Sequence, residues 1–491
     1  MSGRKLKWLT VGMFASTGAS ILALTSTLVA APALADTGYV GGSFVPGGGF
    51  DADSAWVMGP SGFPVPAQSY LDAANSLYLN LPTNSVLPLT TPEGLYPITG
   101  VNSLTLDPSV AQGVETLNNV LQNAKAPVDV FGYSQSSTIA SLEMSQLHNE
   151  DPTAPVSFIL VGDPSNPDGG FLERFVGGTI PSFGVTASGA TPSDLFPTDI
   201  ITNEYDGFAD FPRYPIDLLS DLNAYLGIIF EHTAYVDEDP SGAIDLGTFG
   251  DTTYFMNPTD ELPLLDILRF IPGGNPLADL LQPDMSVLVN LGYGSITDGW
   301  DTENAPDVPT PFGFLPDNIN PTDLLNALVQ GIPEGFSKAV ADIQAGQWTD
   351  YSSLQTLVDA AHTFGLTPSD TPTLSELLGA ATTYFNGDVP VTPIDYSSLT
   401  DIVNGLTHVV STDVSTVLPL FDTVLALGVS LPNYDISLFE QGLEAGNLVA
   451  AFGDPIAADI GILPLPVGLD LAVLGEALAT TGYELIGGLI P

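Results

Sequence analysis

Cysteine is absent from the 491 residues, histidine occurs four times, and lysine and arginine together occur eight times. The missing thiols exclude a cysteine nucleophile, a cysteine zinc site and iron–sulfur chemistry. They also exclude disulfide staples, so stability must come from packing. His148, His232, His362 and His408 are the whole histidine complement, so any imidazole chemistry runs through one of these four. The eight basic residues stand against 57 acidic ones, for a formal net charge of −49. Such a surface repels phosphate backbones and argues against a nucleic-acid partner. Acidic chains of low hydrophobicity stay disordered, but 44% of this one is hydrophobic, which predicts folded cores. The length suffices for more than one domain.

Three of the basic residues, Arg4, Lys5 and Lys7, cluster at the N-terminus, and an apolar stretch follows from about Trp8 to Ala31. The run Ala31-Pro-Ala-Leu-Ala35 ends in the small-x-small pattern that signal peptidase reads. The stretch is long enough to cross a bilayer as an uncleaved anchor. Thr and Ser dilute it, however, and the cleavage site is good. The expectation is a signal peptide over 1–35 and an exported chain, secreted or held at the cell envelope.

Residues 36–54 are Gly-rich and read as a flexible lead-in. From about Ala55 strands and helices alternate, which predicts an α/β fold with a parallel sheet. Ala55-Trp-Val-Met58 reads as a strand ending in Gly59-Pro-Ser-Gly62, a helix follows over 67–78, and Leu95 to Thr99 is strand-like. Asp107 can cap a helix running to about Asn123. Val128-Asp-Val-Phe131 is a short strand leading into Gly132-Tyr-Ser-Gln-Ser136 and a helix to about His148. The apolar run Val156–Val161, bounded by turn residues, reads as a central parallel strand. Ile200 to Tyr205 is another strand, and a helical stretch follows from about Tyr214 to Glu231. After about Asp317 strand signals become rare. Thr322 can cap one helix, and Thr373 with Glu376 forms a capping box before another. The expected organisation is therefore an α/β domain over 55–316 and a mainly helical region over 317–491. The apolar end from Gly461 carries Asp470, Glu476 and Glu484, which favours packed helices over a membrane span.

Acyl transfer needs a hydroxyl held in an exposed, strained position beside a base. A strand that stops abruptly, a tight turn and an immediate helix supply it, and Gly-x-Ser-x-Gly is the usual solution. Here the turn reads Gly132-Tyr133-Ser134-Gln135-Ser136, with a small Ser in place of the second Gly. Ser134 is the candidate nucleophile. The backbone N–H of Gln135, at the new helix's N-terminus, is the candidate oxyanion donor. Ser61, in the loop after the first strand, is a candidate second donor or a plain turn former. A pentapeptide alone occurs by chance; the strand before it and the helix after it give it weight.

In such folds the acid follows a later strand and the histidine comes later still. His232 is the only histidine between the nucleophile's helix and the tail. His148 lies near the far end of that helix, and His362 and His408 sit in tail segments. The acid candidates, in order, are Asp206, Asp210 and Asp163; each could instead cap a helix or form a turn. Asp237-Glu-Asp-Pro-Ser-Gly242 has calcium-loop features, but Thr248 stands where the bidentate Glu would be, so it reads as a polar loop. No metal or organic cofactor is called for.

The stretches Val57-Met-Gly-Pro-Ser-Gly-Phe-Pro, Val130-Phe-Gly-Tyr-Ser-Gln-Ser-Ser137 and Val161-Gly-Asp-Pro resemble the PE-PPE domain of actinobacterial envelope proteins. So do Pro167-Asp-Gly-Gly170, Tyr205-Asp-Gly-Phe-Ala-Asp-Phe-Pro212 and Leu288-Val-Asn-Leu-Gly-Tyr-Gly294. The resemblance runs from about residue 55 to 316. That family is similar to cutinases and other serine α/β hydrolases, and its pentapeptide admits Ser at the last position. The resemblance implies ester hydrolysis with Ser134, Asp206 and His232 as a triad. The substrate would be an acyl ester or a glycolipid, with contact to envelope lipid. Many relatives begin with a PE or PPE helical domain, where this chain has a signal segment. Relatives with such an N-terminus include acyltransferases that move fatty chains between trehalose glycolipids, which is the alternative activity. A non-catalytic envelope or host-interaction protein on the same scaffold is the third reading.

Overall fold

The structure, a computed structural model, describes residues 44–46, 50–364, 403–404, 407, 418–468 and 470. The expected signal peptide, most of the Gly-rich lead-in, the capping box at Thr373, His408 and everything from 471 lie outside the described residues.

Among the described residues, seven strands form the main sheet. In chain order they are β1 (Ser54–Val57), β2 (Val86–Pro88), β3 (Val128–Tyr133) and β4 (Val156–Val161), then β7 (Thr198–Asn203), β8 (Ile244–Phe249) and β9 (Thr252–Asn257). A two-residue pair, β5 (Thr179–Ile180) and β6 (Val185–Thr186), stands apart. The sheet order is β2-β1-β3-β4-β7-β9-β8, and every pairing is parallel except the edge hairpin β8–β9. β3 and β4 pair in register from Val128↔Val156 to Tyr133↔Val161, so their C-terminal ends, and the loops that follow, lie side by side.

Alternating side chains divide between two cores, as they must on a sheet covered on both faces. Phe131, Tyr133, Ile159, Val161, Ile201 and Phe255 pack with Tyr70 and Tyr78 of the segment over 68–79. Val130, Phe158, Leu160, Ile200 and Tyr254 pack with Leu117 of helix Leu106–Leu121 and with Ile139 and Met144 of helix Gln135–Glu150. This sandwich makes the central strands rigid, which fixes the loops at their ends.

Several local expectations are corrected. Leu95 to Thr99 is not a strand; it forms turns, and its apolar residues face a cavity described below. The second edge strand is instead β2, only three residues long and ending in proline. Asp107 does not cap its helix: its carboxylate accepts the Thr186 N–H at 2.9 Å and the Thr186 hydroxyl at 2.8 Å, tying the helix to β6. Helix Pro321–Ala345 is capped by Asn320, which accepts the N–H of Thr322 at 2.9 Å. The polar loop expected over 237–242 is present, as turns and the single 3-10 turn Pro240–Gly242, ahead of β8 at Ile244.

The C-terminal region is helical where described, with Ser352–Thr363, Pro419–Leu425, Leu431–Glu444 and Leu448–Ile462 following Pro321–Ala345. Pro321–Ala345 lies against helix Gly274–Asn290, and a Cβ at Gly335 would stand 2.2 Å from the Leu280 carbonyl oxygen. Leu448–Gly468 is long and apolar enough to cross a membrane. Here Ala457, Ala458 and Ile462 pack on Phe175 and Phe312 of the α/β part.

Many carboxyls are buried without a cation to match them, and this sets the pH dependence of stability. Burial pushes Glu93 up to about 8, Asp221 to about 9, and Glu204 to about 7. A raised carboxyl binds its proton more tightly folded than unfolded. The stability it contributes is therefore full below the unfolded value near 4 and is lost as pH rises through the folded values. Self-repulsion of the acidic surface acts in the same direction. The melting temperature is expected to fall steadily from pH 5 toward pH 9. Glu93→Gln should flatten that fall; a melting temperature that rises between pH 5 and 8 would refute the account.

Candidate active site

β3 ends at Tyr133 and the next helix starts at Gln135, so Ser134 alone makes the turn. Its backbone sits at φ 60° and ψ −120°, a region that L-residues avoid at a cost of about 1–3 kcal/mol. The turn is tight enough to require its small neighbours. A Cβ on Gly132 would lie 2.8 Å from the Ser136 carbonyl oxygen. The Ser136 hydroxyl accepts the Tyr133 N–H at 2.8 Å and donates to the Tyr133 carbonyl at 3.0 Å, bracing the bend. The serine in place of the second glycine is thus part of the turn's hydrogen bonding.

The bend brings Ser134 Oγ to 2.8 Å from His232 Nε2. His232 follows helix Leu218–Phe230, on Glu231-His-Thr-Ala-Tyr235. Its Nδ1 lies 2.8 and 2.9 Å from the two carboxylate oxygens of Asp206. Asp206 stands three residues after β7 and is fully buried. A carboxylate only accepts, so Nδ1 carries the ring proton and Nε2 is left to accept from the Ser134 hydroxyl. Asp206 also accepts the Phe208 N–H at 2.9 Å and the Tyr235 hydroxyl at 2.8 Å. The Tyr235 oxygen in turn accepts the Asn203 N–H at 2.8 Å. Burial, and then the Asp206 carboxylate, hold the Tyr235 phenol well above its ordinary range, so it stays a donor.

Three further residues shape the imidazole's position. The Tyr133 hydroxyl donates to the His232 carbonyl, and the Phe208 ring meets the imidazole edge-on at 4.9 Å. Gly162, at φ 55° after β4, leaves the space the ring occupies. A Cβ there would come within 2.8 Å of the Tyr235 ring and 3.1 Å of the imidazole. Sequence reasoning assigned no role to Gly162, Tyr133 or Tyr235. The signals were present, in a glycine directly after the clearest strand and a tyrosine three residues past the chosen histidine.

The other candidates are placed elsewhere. Asp210 accepts the Tyr205 N–H at 2.9 Å; burial raises its carboxyl well above the usual range, against that hydrogen bond. Asp163 is pushed to about 6 by burial and accepts the Thr191 hydroxyl at 2.6 Å and the Ser165 N–H at 2.9 Å, a turn-forming role. His148 is fourteen residues along the helix from Ser134, about 21 Å at 1.5 Å per residue, and packs edge-on against Phe196. His362 is exposed on helix Ser352–Thr363.

Gln135 contributes twice. Its N–H belongs to the helix's first turn, where amide protons have no partner within the helix. Its side chain is clamped: Nε2 donates to Ser109 Oγ at 2.7 Å and Oε1 accepts from Ser61 Oγ at 2.8 Å. The Ser61 hydroxyl proton therefore goes to fixing Gln135, while the Ser61 loop stands beside the nucleophile. Ser134, Gln135 and Ser61 line one cavity of about 1380 Å³, counting its open mouth. Its other walls are almost wholly apolar, with Leu95, Ile98, Phe171 and Leu172 among them. The arrangement can activate a hydroxyl, store a proton on an imidazole and shelter a long apolar group beside the reacting atom.

Residues 82–294 match the family model described as the PE-PPE domain. The PPE family protein PPE28 of Mycobacterium tuberculosis is 39% identical over 464 residues, covering 89% of this chain and 67% of that protein. This chain belongs to the PE-PPE domain family. Some relatives from the same organism carry names that state an activity. The esterase PE16 is 39% identical over 305 residues, 59% of this chain and 56% of that protein. The SL1278 acyltransferase Chp1 is 33% identical over 258 residues, 49% of this chain and 57% of that protein. The chain thus spans little more than half the length of these two. Its relatives include an esterase and an acyltransferase.

Proposed function

We propose that this chain is an exported serine ester hydrolase acting on acyl esters, with Ser134, His232 and Asp206 as its catalytic triad. The observation that carries the reading is the strained Ser134 hydroxyl, 2.8 Å from an imidazole whose far nitrogen is 2.8 Å from a buried carboxylate. Ser134 Oγ attacks the ester carbonyl as its proton passes to His232 Nε2. Asp206 holds the imidazole in its tautomer and stabilises the imidazolium. The N–H of Gln135 receives the oxyanion, with the Ser61 loop as the second side of that pocket. Collapse of the tetrahedral intermediate expels the alcohol, which takes the proton from His232. Water then attacks the acyl-enzyme by the same route in reverse and releases the acid.

A second reading keeps the acyl-enzyme and replaces water with a sugar hydroxyl, moving fatty chains between trehalose glycolipids. It is favoured by the relative named as an acyltransferase.

A fluorophosphonate probe is expected to label the chain at the peptide containing Ser134. Labelling at no serine, with the protein folded, would reduce it to a non-catalytic scaffold. Incubation with a trehalose acyl ester, with and without free trehalose as acceptor, then separates the two activities. Free fatty acid in both samples supports hydrolysis, whereas acyl chains appearing on isotopically labelled acceptor trehalose support transfer.

A further inference from the structure

The cavity beside Ser134 has two walls from distant parts of the chain. The inner wall belongs to the α/β part and includes Thr138, Phe171, Leu172 and Phe208. The outer wall comes from far along the chain: Leu427, Ser430, Leu431, Tyr434, Ile462 and Leu465. These six lie beyond residues 82–294, the span of the family match.

We propose that the C-terminal helices over 418–466 are a specificity wall, closing the acyl cavity from outside and setting the length of chain the site accepts. The inference rests on the proposed acyl chemistry at Ser134 and adds the segment that sorts its substrates.

Three observations support a seated wall. First, the wall is packed as core. Tyr434 and Ile462 are each 7% exposed and cluster with Phe175, Phe211 and Phe312 of the α/β part. Second, it is hydrogen-bonded to that part at separate points. Tyr96 donates to the Asp422 carboxylate at 2.6 Å, and Ser182 donates to the Asp422 carbonyl at 2.9 Å. The Tyr225 hydroxyl donates to the carbonyl of Gly461. Third, the approach is close enough to need glycine: a Cβ on Gly461 would come within 2.8 Å of both Phe175 and Pro215.

The chemistry of the lining names the ligand class. Apart from a few hydroxyls and the polar groups at Ser134, the walls offer carbon to whatever enters. A linear alkyl chain, carbonyl at Ser134 and tail between the two walls, suits such a lining. Each methylene sheltered there favours binding about fourfold, so the wall's position converts chain length into selectivity.

The test uses the full chain. Leu431→Trp and Leu427→Trp each place a bulky ring in the outer wall. Turnover is measured on p-nitrophenyl esters from acetyl to palmitoyl, and binding of cis-parinaric acid is measured by fluorescence in a Ser134→Ala background. For both variants the palmitoyl-to-acetyl ratio of kcat/KM is expected to fall at least tenfold, and the fatty acid to bind at least tenfold more weakly. Should one variant fail to fold, the other carries the test. Folded variants with the parent's ratio and the parent's affinity would overturn the wall. A parent that binds the fatty acid but cleaves no ester would defeat the hydrolase reading while leaving the wall standing.

Discussion

Ser134→Ala is expected to lower ester turnover by about 10⁴-fold or more, with a melting temperature close to the parent's, and His232→Ala to do the same. Residues that act as one unit are lost as one unit, so either deletion should remove nearly the whole chemical advantage. The reason is local. The Ser134 hydroxyl is 2.8 Å from Nε2, and no other described histidine lies within reach of it: His148 sits at the far end of the helix and His362 is exposed. Steady-state assays on a soluble ester, with circular dichroism to verify folding, check the result. A folded Ser134→Ala protein that keeps a tenth of the parent's rate would remove Ser134 from the mechanism.

Asp206→Asn is expected to cost about 10⁴-fold in kcat. The amide can turn its NH₂ toward Nδ1, which favours the tautomer with the proton on Nε2, and that nitrogen can no longer accept from Ser134. Asp210→Asn is expected to change the rate less than tenfold, since its carboxyl accepts from the Tyr205 backbone and not from His232, which pairs with Asp206. Measuring both variants side by side decides the acid. If Asp210→Asn were the inactive one, the pairing drawn here would be wrong.

The parts of the site legible in the sequence were those dictated by a single local cause. An apolar strand stopping at Gly132, with a helix starting at once, can only be a sharp bend, and the structure has Ser134 alone in that bend. The central strand Val156–Val161 was visible because a strand covered on both faces is apolar throughout. The order of nucleophile, acid and histidine followed from the alternation of strands and helices. What misled was hydrophobicity serving another purpose. Leu95 and Ile98 are apolar because they line the cavity, and that pattern reads as a strand. The hairpin β8–β9 was missed because β8 is half-buried and interrupted at Gly247, where its pairing with β9 shifts register, so its apolar alternation is broken. The contribution of 418–466 to the cavity was beyond reach, because contacts between segments more than 200 residues apart leave no periodicity in either one.

The backbone angle at Ser134 has a consequence for how such a site persists. A glycine there would relieve the strain, so the fold itself would gain from losing the hydroxyl. Selection for stability and selection for chemistry therefore pull this one codon in opposite directions. A chain of this family that had ceased to process esters would be free to drift toward glycine at the bend, and a serine retained against that gradient is a sign of work still being done.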